Sequence, residues 1–212
     1  MADLDSLKEA VISGDANTAK AVTEAAVAEG IDVQVIVSDY LIPAMDEVGR
    51  RFEANEYFVP ELLIGARAMK TSMAVLKPLL ADSGVKPVAK VAIGTVKGDL
   101  HDIGKNLVAS MLEGGGFEIV DLGVDVSPEQ FIQSVQESGV AIICMSALLT
   151  TTMGSMKDTI QALNAAGLRD KVQVMIGGAP ITQQYANEIG ADGYSDNASA
   201  AVSCARKLAK VA

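Results

Sequence analysis

The chain has 212 residues, of which 27 are acidic and 17 basic, for a formal net charge of −10, with one His, two Cys and no Trp. A sequence pI near 4.5, with no cluster of Lys and Arg, excludes the basic footprint that nucleic acid or an anionic membrane surface requires. At this length roughly 70% of the unfolded surface is buried, enough for a core without staples; Cys144 and Cys204 form no disulfide framework and point to a reducing cytoplasm.

Residues 1 to about 82 read as helices throughout, and MADLDSLKEA at their head is too acidic and polar for a signal peptide. Leu4, Leu7 and Val11 recur at helical spacing after Asp3, and Gly14-Asp15 closes that first helix. A second is expected from about Ala16 to Glu29, ended by Gly30. Val33, Ile36, Val37, Tyr40 and Leu41 form a third apolar stripe, and Pro43 suits the first turn of a fourth helix carrying Met45, Val48 and Phe52. The last starts near Pro60 and runs through Leu62, Leu63, Ala66, Met69, Met73 and Leu76 to about Leu80. Amphipathic segments with such short connections predict an antiparallel bundle. This part holds 14 acidic and 7 basic residues, hence −7 of the −10.

Asp82-Ser83-Gly84-Val85-Lys86-Pro87 is a linker by composition, which divides the chain into domains 1–84 and 85–212. Beyond it, β-branched apolar runs alternate with helical stretches. Strands are expected at 88–95, 117–122, 140–145, 172–176 and 192–194, with helices at 102–113, 128–137, 153–166, 181–189 and up to Lys210. Every apolar run ends well short of the ~18 to 20 residues of a membrane span. Five βα units imply a doubly wound, five-stranded parallel sheet with helices on both faces. Gly114-Gly115-Gly116 reads as a helix stop and a turn into the second strand. Both cysteines read as buried small apolar residues, and Met69 and Met73 as core.

In open α/β sheets a ligand binds beyond the carboxyl ends of the strands, where strand order reverses. After the first strand comes Gly98-Asp99-Leu100-His101-Asp102-Ile103-Gly104, after the third Ser146-Ala147-Leu148, and after the fourth Gly177-Gly178. The single histidine therefore stands at the expected ligand edge, two residues from a carboxylate able to orient it. One His binds a bare ion poorly. A metal that already carries most of its ligands in a macrocycle needs only one.

These residues carry a family resemblance. Asp99-Leu100-His101-Asp102-Ile103-Gly104 matches the D-x-H-x-x-G motif of base-off cobalamin-binding domains, and Ser146-Ala147-Leu148 and Gly177-Gly178 match the S-x-L and G-G elements in order. The helical half resembles the cap of the methyl-carrying members, with Val48-Gly49-Arg50-Arg51-Phe52 and Tyr57-Phe58-Val59-Pro60 similar to the V-G-x-x-F and F-x-P stretch. The chain most resembles the small corrinoid proteins of anaerobic methyltransferase systems, which work on methylamines, methanol, betaines or methoxylated aromatics.

The resemblance implies a cap of residues 1–84 followed by a flavodoxin-like, Rossmann-like cobalamin domain. Its cofactor is a corrinoid whose cobalt takes His101 as lower axial ligand, with the other imidazole nitrogen bonded to Asp99 and with methylcobalamin as the intermediate. Gly98, Leu100, Asp102, Ile103, Gly104, Ser146, Leu148, Thr150, Gly177 and Gly178 line the cofactor and its nucleotide tail. Thr152 falls where a hydroxyl extends the Asp–His relay, although family members often have Ser there; a helix cap is the competing role, and Thr150 and Thr151 compete for both. Phe58 resembles the cap aromatic over the methyl-bearing face, while core packing is the alternative for an aromatic in a bundle. Implied partners are a substrate-specific methyltransferase that methylates Co(I), a second methyltransferase passing the group from methyl-Co(III) to tetrahydrofolate or coenzyme M, and a reductive activase. Nucleic acid and membrane are not among them, and the expected location is cytoplasmic.

Other readings divide on visible features. A carbon-skeleton mutase subunit resembles the α/β half alone, so the helical half opposes it. A cobalamin-based sensor needs an output module, and no basic helix-turn-helix segment exists in this sequence. A flavodoxin- or receiver-like domain leaves the ordered Asp99, His101, Ser146 and Gly177 pattern unexplained.

Overall fold

Asp3 accepts a hydrogen bond from Ser6 N, and Asp15 accepts from Asn17 N and Thr18 N; these side chains cap the first turns of α1 (Leu4–Ser13) and α2 (Ala16–Ala28). The computed structural model describes residues 2–83 and 87–210, with the backbone alone at 81–83. Gly14 ends α1 in the left-handed conformation at φ 78, and a Cβ there would also run into the Ile64 side chain, so no other residue fits the turn.

The expected third and fourth helices are one. Val33–Val35 (α3) continues through a π-helical stretch, Ile36–Leu41, straight into Ile42–Glu53 (α4). Pro43 lacks an N–H and its ring would press on the carbonyl four residues back. Widening the turn ahead of it accommodates the ring without ending the helix. The final helix of this part, α5 (Val59–Ser83), also outruns expectation, since Asp82 and Ser83 are helical rather than linker. Polar residues of this kind cost a helix only tenths of a kcal/mol, so composition marked the end too early. The remainder of the expected linker at 84–86, and with it the 84/85 domain boundary, lies outside the described residues.

By contacts the chain forms two compact units, residues 1–87 with 113–116, and residues 88–112 with 117–212. In the helical unit Leu7, Val11, Ile36, Leu41, Val48, Leu62 and Leu76 are fully buried, and Met69 nearly so; Met73, expected in the core, is only half-buried. The turn from α4 to α5 is held by charge. Arg50 and Arg51 both donate to the Glu47 carboxylate, each at 2.7 Å through Nε. Arg51 also donates to the Tyr57 hydroxyl at 3.0 Å, and that hydroxyl donates to Ile12 O at 3.2 Å.

The second unit alternates β1 (Lys90–Val96), α6 (Ile103–Gly114), β2 (Glu118–Val126), α7 (Pro128–Ser138), β3 (Ile142–Ser146), α8 (Gly154–Ala165), β4 (Gln173–Gly177), α9 (Gln183–Ile189), β5 (Gly193–Ser195) and α10 (Ala198–Ala209). The strands are parallel in the order β2-β1-β3-β4-β5, the expected flavodoxin-like winding. Val91 to Val96 are all buried because helices cover both faces. Thr95 pairs with Ser146, and Ser146 with Gly177. The segments after β1, β3 and β4 therefore leave the sheet at one level. β2 runs four residues beyond the expected end, to Val126, because an edge strand tolerates the polar Asp121 and Asp125 and the irregular pairing that a central strand would not. Cys144 is buried, while Cys204 is half-buried rather than buried.

The Arg50 and Arg51 hydrogen bonds hold the Glu47 carboxyl down from 4.5 to about 2. A carboxyl depressed in the folded state stabilises it above the unfolded value and loses that contribution as pH falls through the folded one. The difference in urea midpoint between the parent chain and Glu47→Gln is therefore expected to be full near neutral pH and to vanish as pH falls from 4.5 toward about 2.

Candidate functional site

β1 ends at Val96 and the chain turns through Gly98, at φ 84, into the segment that carries His101. The buried Thr95 hydroxyl donates to His101 O at 2.8 Å, which ties this loop down to the last residues of the strand. Asp99 is 0% exposed. Its Oδ1 accepts from His101 N at 3.1 Å and lies 2.7 Å from His101 Nδ1. Its Oδ2 accepts from Leu148 N at 2.8 Å, Leu149 N at 3.3 Å and the Thr152 hydroxyl at 2.8 Å. Two successive backbone N–H groups after β3 thus form a small anion-binding concavity around a carboxylate supplied from β1.

Burial pushes the Asp99 carboxyl up, but the bonds from Leu148 N, His101 and Thr152 outweigh it and hold the group well below the usual carboxylate range. An ionised carboxylate only accepts, so the proton between the pair belongs to His101 Nδ1. A ring that carries its one proton at Nδ1 presents Nε2 with a free lone pair. The imidazole is 51% exposed.

The structure brings Gly98, Asp99, Leu100, His101 and Asp102 together on the β1–α6 loop, Ile103 and Gly104 at the start of α6, Ser146 at the end of β3, and Leu148, Thr150 and Thr152 in the segment before α8. Gly177 closes β4 and its carbonyl accepts from Ala147 N at 3.3 Å. Gly178 follows at φ 127, where a Cβ would collide with the Ala147 carbonyl. Thr150 and Thr151 are exposed, and among the described residues Thr152 is the threonine that reaches Asp99. The competing helix-cap role does not apply to it, since α8 begins after Met153 with no side-chain cap. Phe58 belongs to the helical unit, where it is 62% exposed, so core packing is excluded for it; its N–H donates to Glu61 Oε2 at 2.8 Å. Leu149 was not expected. Its contribution is a backbone N–H, which nearly every residue carries, and no side-chain pattern marks it.

The sequence matches the family described as B12 binding domain over residues 89–203, and a second family of the same description over residues 3–77. It is 44% identical over 207 residues to the dimethylamine corrinoid protein of Methanosarcina barkeri, covering 97% of this chain and 96% of that one. It is 40% identical to a corrinoid protein of Desulfitobacterium hafniense, covering 98% of both. This chain is a B12-binding corrinoid protein. Among solved structures, it superimposes on a chain of the methanol:cobalamin methyltransferase complex of Methanosarcina barkeri with a TM-score of 0.86 and 28% identity, covering 99% of this chain and 80% of that one.

The site residues fit a corrinoid. A single imidazole presents Nε2, with Nδ1 already engaged by a buried anion, which suits a metal whose equatorial positions are filled in advance. The segments after β1 and β3 expose Leu100 at 70%, Ile103 at 83%, and Leu148 and Leu149, apolar surface that a broad macrocycle would cover. At Gly104 a Cβ would meet nothing within 4 Å, so no packing within the chain demands glycine there. Among the described residues no group of three or more His, Cys, Asp and Glu could hold a bare metal ion.

Removing the carboxylate from this corrinoid protein leaves the N–H groups of Leu148 and Leu149 and the Thr152 hydroxyl without their acceptor. Asp99→Ala is expected to lower the stability of the cofactor-free protein by about 3 kcal/mol in urea unfolding. Thr152→Ala is expected to cost about 1 kcal/mol, and Thr152→Ser much less, since Ser keeps the donor.

Proposed function

We propose that this corrinoid protein is a methyl carrier: it accepts a methyl group from a substrate-specific methyltransferase and presents it to a second methyltransferase. The observation that carries the reading is the buried Asp99 carboxylate locked to Nδ1 of a half-exposed His101, in a chain similar along almost its whole length to a dimethylamine corrinoid protein. The likeness to a chain of a methanol:cobalamin methyltransferase complex supports a methyltransferase as partner.

When bound, the corrin's cobalt supplies the chemistry, taking up a methyl group in its reduced state and releasing it to an acceptor. His101, Asp99 and Thr152 are the residues of this chain that would hold it. His101 would hold the metal through Nε2, replacing the base that the cofactor carries itself. Asp99 holds the proton at Nδ1, which fixes the tautomer and makes Nε2 a stronger donor. Thr152, with Leu148 N and Leu149 N, keeps Asp99 ionised. Gly104, Gly177 and Gly178 would admit the displaced nucleotide tail beside Ser146.

Residues 1–84 form the cap domain in this reading and 85–212 the cofactor domain, and Phe58 is the cap aromatic that would help hold the corrinoid. The finer partners are an acceptor methyltransferase specific for tetrahydrofolate or coenzyme M and a reductive activase that restores the reduced metal. Among the described residues no helix is long and apolar enough to cross a membrane, and we assign the carrier to the cytoplasm.

Incubation with hydroxocobalamin should yield a coloured protein with its own base displaced and His101 bound to cobalt. In the one-electron-reduced form, nitrogen superhyperfine splitting should be present in the parent and absent in His101→Ala. Retained splitting in that variant would sink the axial-ligand assignment. Phe58→Ala, at an exposed position, should leave unfolding within about 0.5 kcal/mol while changing the rate of methyl transfer to a partner enzyme.

A further inference from the structure

Asp99 and His101 are held in place from a side that the motif does not contain. The pairing of β1 with β2 slips twice near its carboxyl end, so that three steps of β1, Ile93 to Val96, run beside five of β2, Asp121 to Val126. The two extra residues swing this end of the edge strand over the β1–α6 loop. Asp125 results at φ 54, a left-handed conformation that residues other than glycine seldom hold. In that conformation it grips the loop at two points. Its Oδ1 accepts from Gly98 N at 2.7 Å, and its own N–H donates to Asp99 O at 3.0 Å.

The same stretch of β2 is tied to the other end of the loop. Lys105, 2% exposed, donates through Nζ to both Asp121 oxygens at 2.6 and 2.7 Å. A buried ammonium is costly to desolvate, and the bidentate carboxylate offsets that cost only if the first turn of α6 and the β2 bulge stay in register. The loop is thus pinned before Asp99 by Asp125 and after His101 by the Lys105 pair.

We propose that Asp125 is a positioning residue for the axial ligand: the bulged end of β2 is a brace that fixes the backbone around Asp99 and so aims the His101 imidazole. The brace rests on the reading of His101 as the cobalt ligand, and it acts through Asp99 and His101 without touching the metal. A replacement that keeps the backbone conformation but loses the acceptor isolates its effect. Asp125→Gly does this, since glycine adopts the positive φ freely, and Asp125→Asn restores an acceptor oxygen.

The test has two arms. In the cofactor-free protein, amide exchange at Gly98 should be about tenfold faster in Asp125→Gly than in the parent, the size of one lost charge-assisted hydrogen bond. Exchange in β3 and β4 should be unchanged, and Asp125→Asn should return Gly98 to the parent rate. In the protein loaded with hydroxocobalamin and reduced by one electron, the ratio of His-bound to His-free cobalt, read from nitrogen splitting, should fall about tenfold in Asp125→Gly and recover in Asp125→Asn. Parent-like exchange at Gly98, or a parent-like splitting ratio in Asp125→Gly while His101→Ala loses the splitting, overturns the brace. A parent-like spectrum from His101→Ala instead overturns the axial-ligand reading on which the brace rests.

Discussion

A carboxylate with no exposure to water is the most demanding group in the cofactor domain, because removing such a charge from solvent costs several kcal/mol unless hydrogen bonds replace the lost hydration. Asp99 meets that demand with donors from two segments. His101 comes from its own loop, and Leu148, Leu149 and Thr152 come from the segment after β3. Each donor is thereby fixed as firmly as the charge is buried. The imidazole tautomer, the path of the chain before α8 and the level at which β1 and β3 end all follow from one anion. Such an arrangement is available only where two adjacent parallel strands send their connections to opposite faces, which is where this sheet places β1 beside β3.

The helical unit depends on a different balance. Its core is aliphatic, and a dense charge network of Glu47 with Arg50 and Arg51 spans the end of α4 and reaches Tyr57, next to Phe58. Phe58 itself stands exposed beside that braced turn. Most of the chain's negative charge also lies in this part, 14 acidic against 7 basic residues up to position 82. It is spread over solvated helix faces, where salt screens it strongly.

Where the sequence was legible, the signal was local. Alternation of β-branched runs with helical stretches after residue 88 is enough to specify a doubly wound parallel sheet, since parallel strands need crossovers and crossovers need helices. The ordered Asp99, His101, Ser146 and Gly177 elements fall on strand ends for the same reason. Misreadings arose where two local rules met. Pro43 usually starts a helix, yet a π-helical stretch let the helix run through it. Asp82 and Ser83 usually mark a linker, yet they extend α5. The polar stretch from Asp121 to Asp125 usually ends a strand, yet an edge strand absorbed it as a bulge.

The sequence by itself determined that any imidazole chemistry must use one residue, because it contains one histidine and places that residue after the first strand of an α/β half. Tertiary structure decided which nitrogen is engaged, which of three consecutive threonines serves the carboxylate, and that Leu149 and Asp125 belong to the arrangement. The physical reason is range. Periodicity and turn chemistry act over a few residues, whereas the bonds from Leu148, Thr152 and Gly98 join partners 49, 53 and 27 positions apart. Which atoms meet across such separations depends on strand order and register, and those are settled only when the whole sheet has formed.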